Sequence, residues 1–348
     1  MGLQQGEALR EVIQAFVDVR FSALDGYLAD RDTKKTGLME VGAACMQIHE
    51  TWDPVGIEEH RGIAHASGID PTKLYVATNM TDIRDILVLP QHTDAEGCSS
   101  LLVPGTLSAD GYPISGQTWD LNPPDIDYVV AVHRKPSRGL STWTVSCAGC
   151  LSLVGMNEKG LSVGTTNIKT HGSRPGVGYL GLIHRLLQAR SARIATHLVS
   201  QAPRSGAHVY WMADQTDMFE FETSPERFVI RSAQENAICH TNHCLDTTHQ
   251  TLEGEPASDS SRARLARMEA VLAKGEQAPA TIKALFANRE DGLDSINRYA
   301  EDDQGTATNS VFIARAHERV AYACRGPADR GQWYKLDCSN PTPTPITL

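Results

Sequence analysis

The 348-residue sequence lacks the features that would place it in a membrane or on a nucleic acid. No run of about 18 apolar residues is present, so no transmembrane helix is predicted. Basic residues are the minority, with 32 Lys and Arg against 42 Asp and Glu, and the net charge is −10. This balance argues against binding to nucleic acid or to an anionic membrane surface. The first residues, MGLQQGEALREVIQAF, show no basic start before an apolar block, so we expect no secretory signal.

The eight cysteines are therefore expected to stay reduced. A chain of this length without a secretory signal is more often a thiol protein than a disulfide protein. We expect the cytoplasm as its compartment. The apolar fraction of 41% is enough to bury a substantial core, and no internal repeat is visible. Length alone allows one large domain or two small ones.

Apolar spacing predicts a helical first third. One helix face carries Leu9, Val12, Ile13, Phe16 and Val17 in the stretch GEALREVIQAFVDVRFSALDGYLADR. After this helical part, the amino-acid composition changes to segments rich in Val, Thr, Leu and Gly, which is typical of strands. The chain therefore combines a helical part with a mainly strand-forming part.

Turn residues divide both parts into elements. Asp70 and Pro71 predict the end of one helix and the start of the next, and NEKG predicts a turn between two strands. One helix is predicted from Gly181 to Gln201, and another, SRARLARMEAVLAKG, is closed by Gly275. The segment SVFIARAHERVAYACRGPADRGQWYKLD predicts a final strand pair, and the tail SNPTPTPITL is expected to be disordered. This order favours an α+β fold with stacked sheets and helical layers.

A glycine–cysteine pair, Gly97 and Cys98, precedes the first strand pattern, and the segment GQTWD follows after a polar turn. Taken alone, Cys98 is better interpreted as a buried structural cysteine, since unpaired cysteines usually lie in cores. Several other segments change that interpretation. They occur in the order EEHRGIAHASGID, EGCSS, GQTWDLNP, GMNEKGLSVGTTN, HTNHCL and SINRYA.

Together, these segments resemble the acyl-coenzyme A:6-aminopenicillanic acid acyltransferase family, peptidase class C45, of the N-terminal-nucleophile hydrolases. The resemblance covers nearly the whole chain. It implies one structural domain with a four-layer αββα fold, in which two stacked antiparallel sheets lie between helical layers. It also implies cleavage between Gly97 and Cys98 into an N-terminal chain, residues 1–97, and a catalytic chain, residues 98–348. The cleaved helical segment is expected to be retained, because it has too much apolar surface to leave.

The residue types suit this chemistry. A thiol is the most nucleophilic common side chain near neutral pH, and attack by Cys98 on the carbonyl of Gly97 would form a thioester that water cleaves. Glycine tolerates strained backbone angles and leaves that carbonyl unhindered. The new α-amino group, with an ordinary pKa of about 7.7–8.0, can accept the proton of a thiol whose ordinary pKa is about 8.5. Nucleophile and base then belong to one residue, and no catalytic histidine is required.

The resemblance implies roles for further residues. Asp120 would hold the new α-amino group or the thiol, and Asn242 would donate to the oxyanion of the tetrahedral intermediate. Asn167 matches a position where related bile-salt hydrolases carry a second polar group. Arg298 would tune the thiol electrostatically. No cofactor and no metal ion are implied.

Each of these residues also has a structural interpretation. Asp120 alone is more often a turn or capping residue, and Asn242 a turn former. Asn167 is about as well explained as a strand-end cap, and Arg298 somewhat better as part of a surface salt bridge.

One departure is informative: the bile-salt and penicillin V hydrolase branch carries Arg three residues before the Asp, where this chain has Gln117. The Gln-x-Trp-Asp pattern is similar to the acyltransferase branch and puts a bile-acid substrate in doubt.

A rival constellation is a zinc site. Its candidate ligands are Cys147, Cys150, Cys239, His240, His243 and Cys244. Both segments are predicted as strands, in which adjacent residues point to opposite faces, so neighbouring ligands cannot readily share one ion.

Three functions remain open: hydrolysis of a small amide, acyl transfer to an amine with a possible acyl-CoA donor, and a non-enzymatic or zinc-binding relative. Hydrolysis is slightly favoured, because excluding water is the harder task. The expected partners are a small-molecule amide or acyl donor and the other cleaved chain, with a homo-oligomer possible.

Overall fold

A computed structural model describes residues 1–29, 35–88, 97–254, 256–302 and 304–348. Within these ranges the α-helices are α1 (Gly2–Ala8), α2 (Arg10–Ala29), α3 (Lys35–Trp52), α4 (Pro54–Ser67), α5 (Pro71–Thr78), α6 (Met80–Val88), α7 (Tyr179–Leu186), α8 (Ala192–Gln201), α9 (Thr247–Gln250), α10 (Asp259–Leu272) and α11 (Pro279–Phe286). The strands are β1 (Ser99–Val103), β2 (Ile114–Leu121), β3 (Val129–Arg134), β4 (Thr142–Cys147), β5 (Val154–Asn157), β6 (Ser162–Asn167), β7 (His208–Ala213), β8 (Met218–Thr223), β9 (Phe228–Ser232), β10 (Ile238–His240), β11 (Ala307–Arg315), β12 (Val320–Arg325), β13 (Trp333–Asp337) and β14 (Thr344–Ile346).

The helical first third is confirmed, and its boundary signals act as expected. Gly68, with φ of 73°, ends α4 in the left-handed conformation that glycine adopts without strain. The side chain of Asp70 accepts a hydrogen bond from the backbone N–H of Lys73, and Pro71 occupies the first position of α5. A helix end and a new helix start are therefore encoded within four residues of sequence.

Two seven-stranded antiparallel sheets form the rest of the fold. The first sheet has the strand order β10-β1-β2-β11-β12-β13-β14, and the second runs β3 to β9 in sequence order. The turn NEKG joins β5 and β6, as predicted. In the first sheet, β1 and β2 form a hairpin in which Ser99 lies opposite Thr118. This register brings the residue before β1 beside the end of β2.

The sheets pack face to face, and helices cover their outer faces. Helices α10 and α11 contact the first sheet, and α7 and α8 contact the second. The core between the sheets holds large buried side chains such as Trp119, Trp143, Met156, Trp211 and Phe312. The α+β fold with four αββα layers and two stacked antiparallel sheets is therefore confirmed.

The single helix predicted from Gly181 to Gln201 is wrong, because the structure divides this stretch into α7 and α8. Ser191 starts the second helix by accepting a hydrogen bond from the N–H of Ile194. The carboxylate of Asp214 also accepts from the N–H of Ala192, at 2.7 Å. Two side-chain acceptors thus stabilise a new helix start inside an apolar pattern that looks continuous.

The C-terminal predictions are wrong in two respects. Three strands, β11, β12 and β13, replace the final strand pair, and the tail is not disordered because β14 pairs with β13. The strand β14 lies at the edge of the sheet, where Pro345 is tolerated because no partner needs its missing N–H. The Lys283 ammonium also donates to the carbonyl oxygen of Leu348 at 2.6 Å.

Helices α1 to α6 are bound to the sandwich by apolar and ionic contacts. One apolar cluster joins Ile13, Ile63 and Leu74 of the helices to Ala148 and Leu151 of the second sheet's β4–β5 connection.

Within the described ranges, none of the helices combines the length and the apolar character needed to cross a lipid bilayer.

Two buried ion pairs and one buried carboxylate–imidazole hydrogen bond also cross from these helices to the sandwich. They are Arg20–Asp125 at 2.8 Å, Glu59–Arg134 at 2.6 Å and Asp82–His208 at 2.9 Å. Every partner is at most 7% exposed. Breaking such a pair leaves an uncompensated buried charge, which is costly. The helical segment is thus an integral part of the fold.

Candidate active site

Cys98 lies immediately before β1 and is 6% exposed. Its Sγ is 3.9 Å from the backbone carbonyl oxygen of Asp120, to which the thiol donates. Asp120 lies near the end of β2, so the β1–β2 hairpin alone brings these two predicted site residues together. The linear order of the sequence therefore encodes this half of the site.

Gly97 lies where no larger residue fits. A Cβ atom at this position would be 2.7 Å from Cζ and Nε of Arg298 and 2.9 Å from Oδ2 of Asp120. Real Cβ atoms do not approach other atoms this closely. The glycine predicted to leave its carbonyl unhindered thus has a more specific reason: its Cα is pressed between a buried cation and a buried carboxylate.

Arg298 is buried, with 3% exposure, so its interpretation as part of a surface salt bridge is wrong. Its Nη1 donates to the hydroxyl of Thr306 at 2.6 Å, and its Nη2 donates to the hydroxyl of Ser260. Its backbone N–H donates to Thr308 Oγ1 at 3.0 Å. These partners fix the guanidinium beside Gly97 and Asp120.

A second arginine, Arg264 of α10, was missed by sequence reasoning and is completely buried. Its Nη1 donates to the carbonyl oxygens of Gly97 at 2.9 Å and Cys98 at 2.6 Å, and to Ser99 Oγ at 3.0 Å. The buried positions of α10 include Arg264, Met268 and Leu272, which follow each other at intervals of four. An arginine in register with an apolar helix face was the available signal.

The charges around Cys98 are unbalanced in favour of cations. Burial raises the pKa of Asp120 to about 6, although the charges of Arg298 and Arg264 and hydrogen bonds from Thr308 and Thr118 oppose that effect. Burial, and then the neighbouring charge of Arg298, lowers the pKa of Arg264 to about 9. Two guanidinium groups beside one carboxylate favour a negative charge on the thiol or on an oxygen close to it.

Asn242 and Asn167 come from different sheets and meet at the site. Asn167 ends β6 of the second sheet, and Asn242 follows β10 of the first. The Asn242 side-chain Nδ2 donates to the backbone carbonyl oxygen of Asn167 at 2.9 Å, and its Oδ1 accepts from Arg264 Nη2 at 2.9 Å. The contact with Arg264 fixes which end of the amide is the donor end, so the Nδ2 group faces Asn167.

A small cavity borders Cys98. Its volume is about 20 Å³, which is room for about one water molecule. Its lining includes Cys98, Asp120, Asn167, His208 and, from α6, Thr81. Pockets for small-molecule ligands usually measure hundreds of cubic ångströms. In the continuous chain, α6 therefore helps to close the space beside the thiol.

Gln117 is 1% exposed and bridges the two sheets. Its side-chain oxygen accepts from the backbone N–H of Thr165 at 2.7 Å and from the indole N–H of Trp211 at 2.9 Å. An arginine could not replace these contacts, since it offers no acceptor. The residue that distinguishes this chain from the bile-salt hydrolase pattern thus supports the sandwich.

The zinc candidates are not brought together. Cys147 ends β4 of the second sheet, whereas Cys239 lies in β10 of the first. The prediction that Cys150 lies in a strand is wrong. Cys150 closes a turn, in which its N–H donates to the carbonyl oxygen of Cys147. In the parts of the chain that the structure describes, the residues close enough together to share a metal ion are Asp110, His317 and Glu318, at or near the surface.

The model of the family described as acyl-coenzyme A:6-aminopenicillanic acid acyl-transferase matches residues 107–329, more than half of the chain. A search of curated proteins found no match.

Among solved structures, the chain is similar to penicillin V acylase from Agrobacterium tumefaciens, with 10% identity and a TM-score of 0.46 over 70% of this chain and 86% of that one. It is also similar to two variants of the conjugated bile acid hydrolase from Clostridium perfringens. Both have 11% identity and a TM-score of 0.45 over 72% of this chain and 97% of the hydrolase.

Proposed function

The chain belongs to the acyl-coenzyme A:6-aminopenicillanic acid acyl-transferase family, and from this premise we propose that it activates itself by cleavage between Gly97 and Cys98 and then hydrolyses a small amide. It is an enzyme of N-terminal-nucleophile type that acts on amide C–N bonds. The single observation that carries the proposal is the position of the Gly97–Cys98 peptide bond. Gly97 is packed against Asp120 and Arg298, and the thiol that follows it lies over the Asp120 backbone.

The first step is attack of the Cys98 sulfur on the carbonyl carbon of Gly97. Asp120 takes the thiol proton, because a carboxyl group with a pKa of about 6 is ionised at neutral pH and still basic enough to accept it. A C–S bond forms, the C–N bond breaks, and the departing nitrogen takes the proton to become the α-amino group of Cys98. Water then hydrolyses the thioester between Gly97 and Cys98.

The second step uses the new N-terminus. The α-amino group of Cys98 accepts the proton of its own thiol, and the sulfur attacks the carbonyl of an amide substrate. Asn242 donates to the oxyanion through Nδ2, which Arg264 already orients. Asn167 positions Asn242 by accepting its other amide hydrogen, and Asp120 holds the α-amino group. The C–N bond of the substrate then breaks, and the amine leaves with the proton from the α-amino group of Cys98. Water hydrolyses the remaining acyl-thioester, which releases the free acid and restores the thiol.

The helical segment, residues 1–97, remains attached after cleavage. Two buried ion pairs, the buried hydrogen bond between Asp82 and His208, and an apolar cluster connect it to residues 98–348. Because the eight cysteines form no disulfide, we also place the enzyme in a reducing compartment, the cytoplasm.

Mass spectrometry of the purified protein tests the first step. We expect two fragments whose boundary is Gly97/Cys98, together with a C-terminal chain whose N-terminal sequence is Cys-Ser-Ser. Precursor made by cell-free synthesis should yield the same fragments without added protease. Active protein that consists only of the uncut chain contradicts the proposal.

Acyl transfer is the second candidate, favoured by the family's own description. It uses the same acyl-thioester, with an amine instead of water as the second acceptor. Incubation of the cleaved enzyme with a simple phenylacetyl amide, with and without a competing amine, separates the two. Free acid formed at an unchanged rate in both reactions supports hydrolysis, whereas a new amide that replaces the acid supports transfer.

A further inference from the structure

We propose that Arg264 is a catalytic residue of the self-cleavage: its guanidinium donates to the carbonyl oxygen of Gly97 and stabilises the negative charge that forms there when Cys98 attacks. The inference rests on the proposed function, since it concerns the step that creates the N-terminal nucleophile. Sequence reasoning assigned no role to this residue.

The contact has the geometry of an oxyanion donor. Arg264 Nη1 donates to the carbonyl oxygen of the planar Gly97 peptide at 2.9 Å, so the donor already lies beside the atom on which the negative charge forms. When the sulfur adds to the carbonyl carbon, the electron pair of the C=O bond moves onto this oxygen. A cation already in contact with it needs no rearrangement at that moment.

The surroundings strengthen this contact. Arg264 is completely buried, so little water screens its charge. The same Nη1 also donates to the next carbonyl oxygen, that of Cys98, at 2.6 Å, and to Ser99 Oγ at 3.0 Å. The backbone on both sides of the cleaved bond is therefore held by one guanidinium group, which limits the motion of the carbonyl relative to the thiol.

The other arm of the guanidinium reaches the later reaction. Arg264 Nη2 donates to Oδ1 of Asn242 at 2.9 Å and keeps the donor end of that amide turned towards Asn167. Before cleavage the arginine acts on the Gly97 oxygen, and after cleavage it orients Asn242. One buried side chain thus acts in both reactions: it contacts the oxygen that becomes negative during self-cleavage, and it orients the donor to the oxyanion of the amide substrate.

A purely structural role is the alternative, because Arg264 anchors α10 to β1. The two roles differ in the rate of cleavage by folded protein. Arg264→Ala and Arg264→Lys are made in the full chain by cell-free synthesis, and the conversion of precursor to fragments is followed by intact mass. The matched control is Arg267→Ala, which removes the same charge from the same helix but breaks only a partly exposed pair with Glu290 and Asp291.

We expect Arg264→Ala to slow cleavage on the order of 10²–10³-fold, the cost of losing one oxyanion donor, and Arg264→Lys to slow it less. Arg267→Ala should cleave like the wild type. Millimolar methylguanidine should accelerate cleavage of Arg264→Ala but not of Arg267→Ala, since it restores the donor and not the covalent anchor. A structural role predicts no such rescue.

Folding is measured separately, as the Tm of each Arg264 variant combined with Cys98→Ala, which keeps all chains intact. A folded Arg264→Lys or Arg264→Ala chain that cleaves at the wild-type rate overturns the proposal. If both variants unfold, anchoring alone explains the contacts and the proposal is abandoned. A wild-type chain that never cleaves would instead refute the proposed function itself.

Discussion

Two buried thiols of this molecule make similar contacts: Cys98, immediately before β1, and Cys147, the last residue of β4. Each donates to the backbone carbonyl oxygen of an aspartate 22 residues away in sequence, Cys98 to Asp120 at 3.9 Å and Cys147 to Asp125 at 3.8 Å. Both aspartates are completely buried. A cysteine beside a buried aspartate is therefore not sufficient to make a nucleophile, and what differs around the two thiols shows what is.

The first difference is charge. Asp125 has one cationic partner, Arg20, at 2.8 Å, and burial together with the charge of Asp125 raises the pKa of Cys147 well above its usual value. Asp120 is instead close to two guanidinium groups. The balanced pair keeps a thiol protonated, whereas an excess of cations favours the thiolate that attacks a carbonyl.

The second difference is the peptide before each cysteine. Ser146 lies inside β4, opposite Val130 of β3, and is held in a regular strand. Gly97 precedes β1, and its carbonyl oxygen accepts from a buried arginine instead of from a neighbouring strand. The reactive cysteine is thus the one whose preceding peptide bond lies outside the sheet and within reach of a cation.

The largest expected effect on cleavage comes from replacing each of the two cysteines by alanine. Cys98→Ala should abolish cleavage, leaving one 37.9 kDa species by intact mass, because the variant lacks the thiol that attacks the Gly97 carbonyl. Cys147→Ala should cleave normally and lose about 1 kcal/mol of unfolding free energy, the cost of a small core truncation. Cleaved Cys98→Ala protein, or intact Cys147→Ala protein, would invalidate the comparison.

The next largest effect should distinguish the two aspartates, because only Asp120 is expected to take part in cleavage. Asp120→Asn removes the proton acceptor and should slow cleavage by about 10²–10⁴-fold, measured in cell-free synthesis. Asp125→Asn should cleave at a rate close to the wild type but lower the unfolding free energy by about 3–5 kcal/mol, because Arg20 loses its charged partner. Denaturant unfolding of uncut Cys98→Ala variants checks the second part. Equal effects on cleavage would mean that neither carboxylate is specific to the reaction.

Gly97→Ala should have a smaller effect on the same rate. The new Cβ would lie 2.7 Å from Arg298 Cζ, so the guanidinium or the peptide must shift. A displacement of this kind should slow cleavage on the order of tenfold to a hundredfold. Ser146→Ala, the matching change before Cys147, should leave the rate unchanged. Normal cleavage of Gly97→Ala would show that the close packing at Gly97 is not needed.

The sequence predicts those parts of the site that neighbouring elements bring together. A hairpin joins Cys98 to Asp120, and the six ordered segments that carry the family resemblance pointed to both. The layers of the fold followed from the alternation of helix and strand patterns. Some predictions failed where a side-chain contact outweighs the local apolar pattern. Ser191 and Asp214, for example, cap α8 within a stretch whose apolar spacing predicts one continuous helix.

The other parts depend on contacts between distant elements. The contact of Asn167 with Asn242 exists only because the two sheets pack face to face. Arg264 lies 166 residues after Cys98, and its register with the apolar face of α10 indicates that it is buried but not which groups it contacts. Its contacts with two backbone carbonyls cannot be derived from residue types, since any backbone offers such oxygens.

The pH dependence of cleavage gives the smallest and most specific test. Since burial raises the pKa of Asp120 to about 6, its proton-accepting form is lost as the pH falls through that value. We expect the cleavage rate to be constant from about pH 7 to pH 8 and to fall about tenfold for each pH unit below the midpoint. Thr308→Val removes a neighbouring hydroxyl that lowers this pKa, so it should move the midpoint upwards. The same change at Thr142, a buried strand residue of the other sheet, should not. A rate that instead rises tenfold per unit up to about pH 8.5 would assign the titration to the thiol and remove Asp120 as the base.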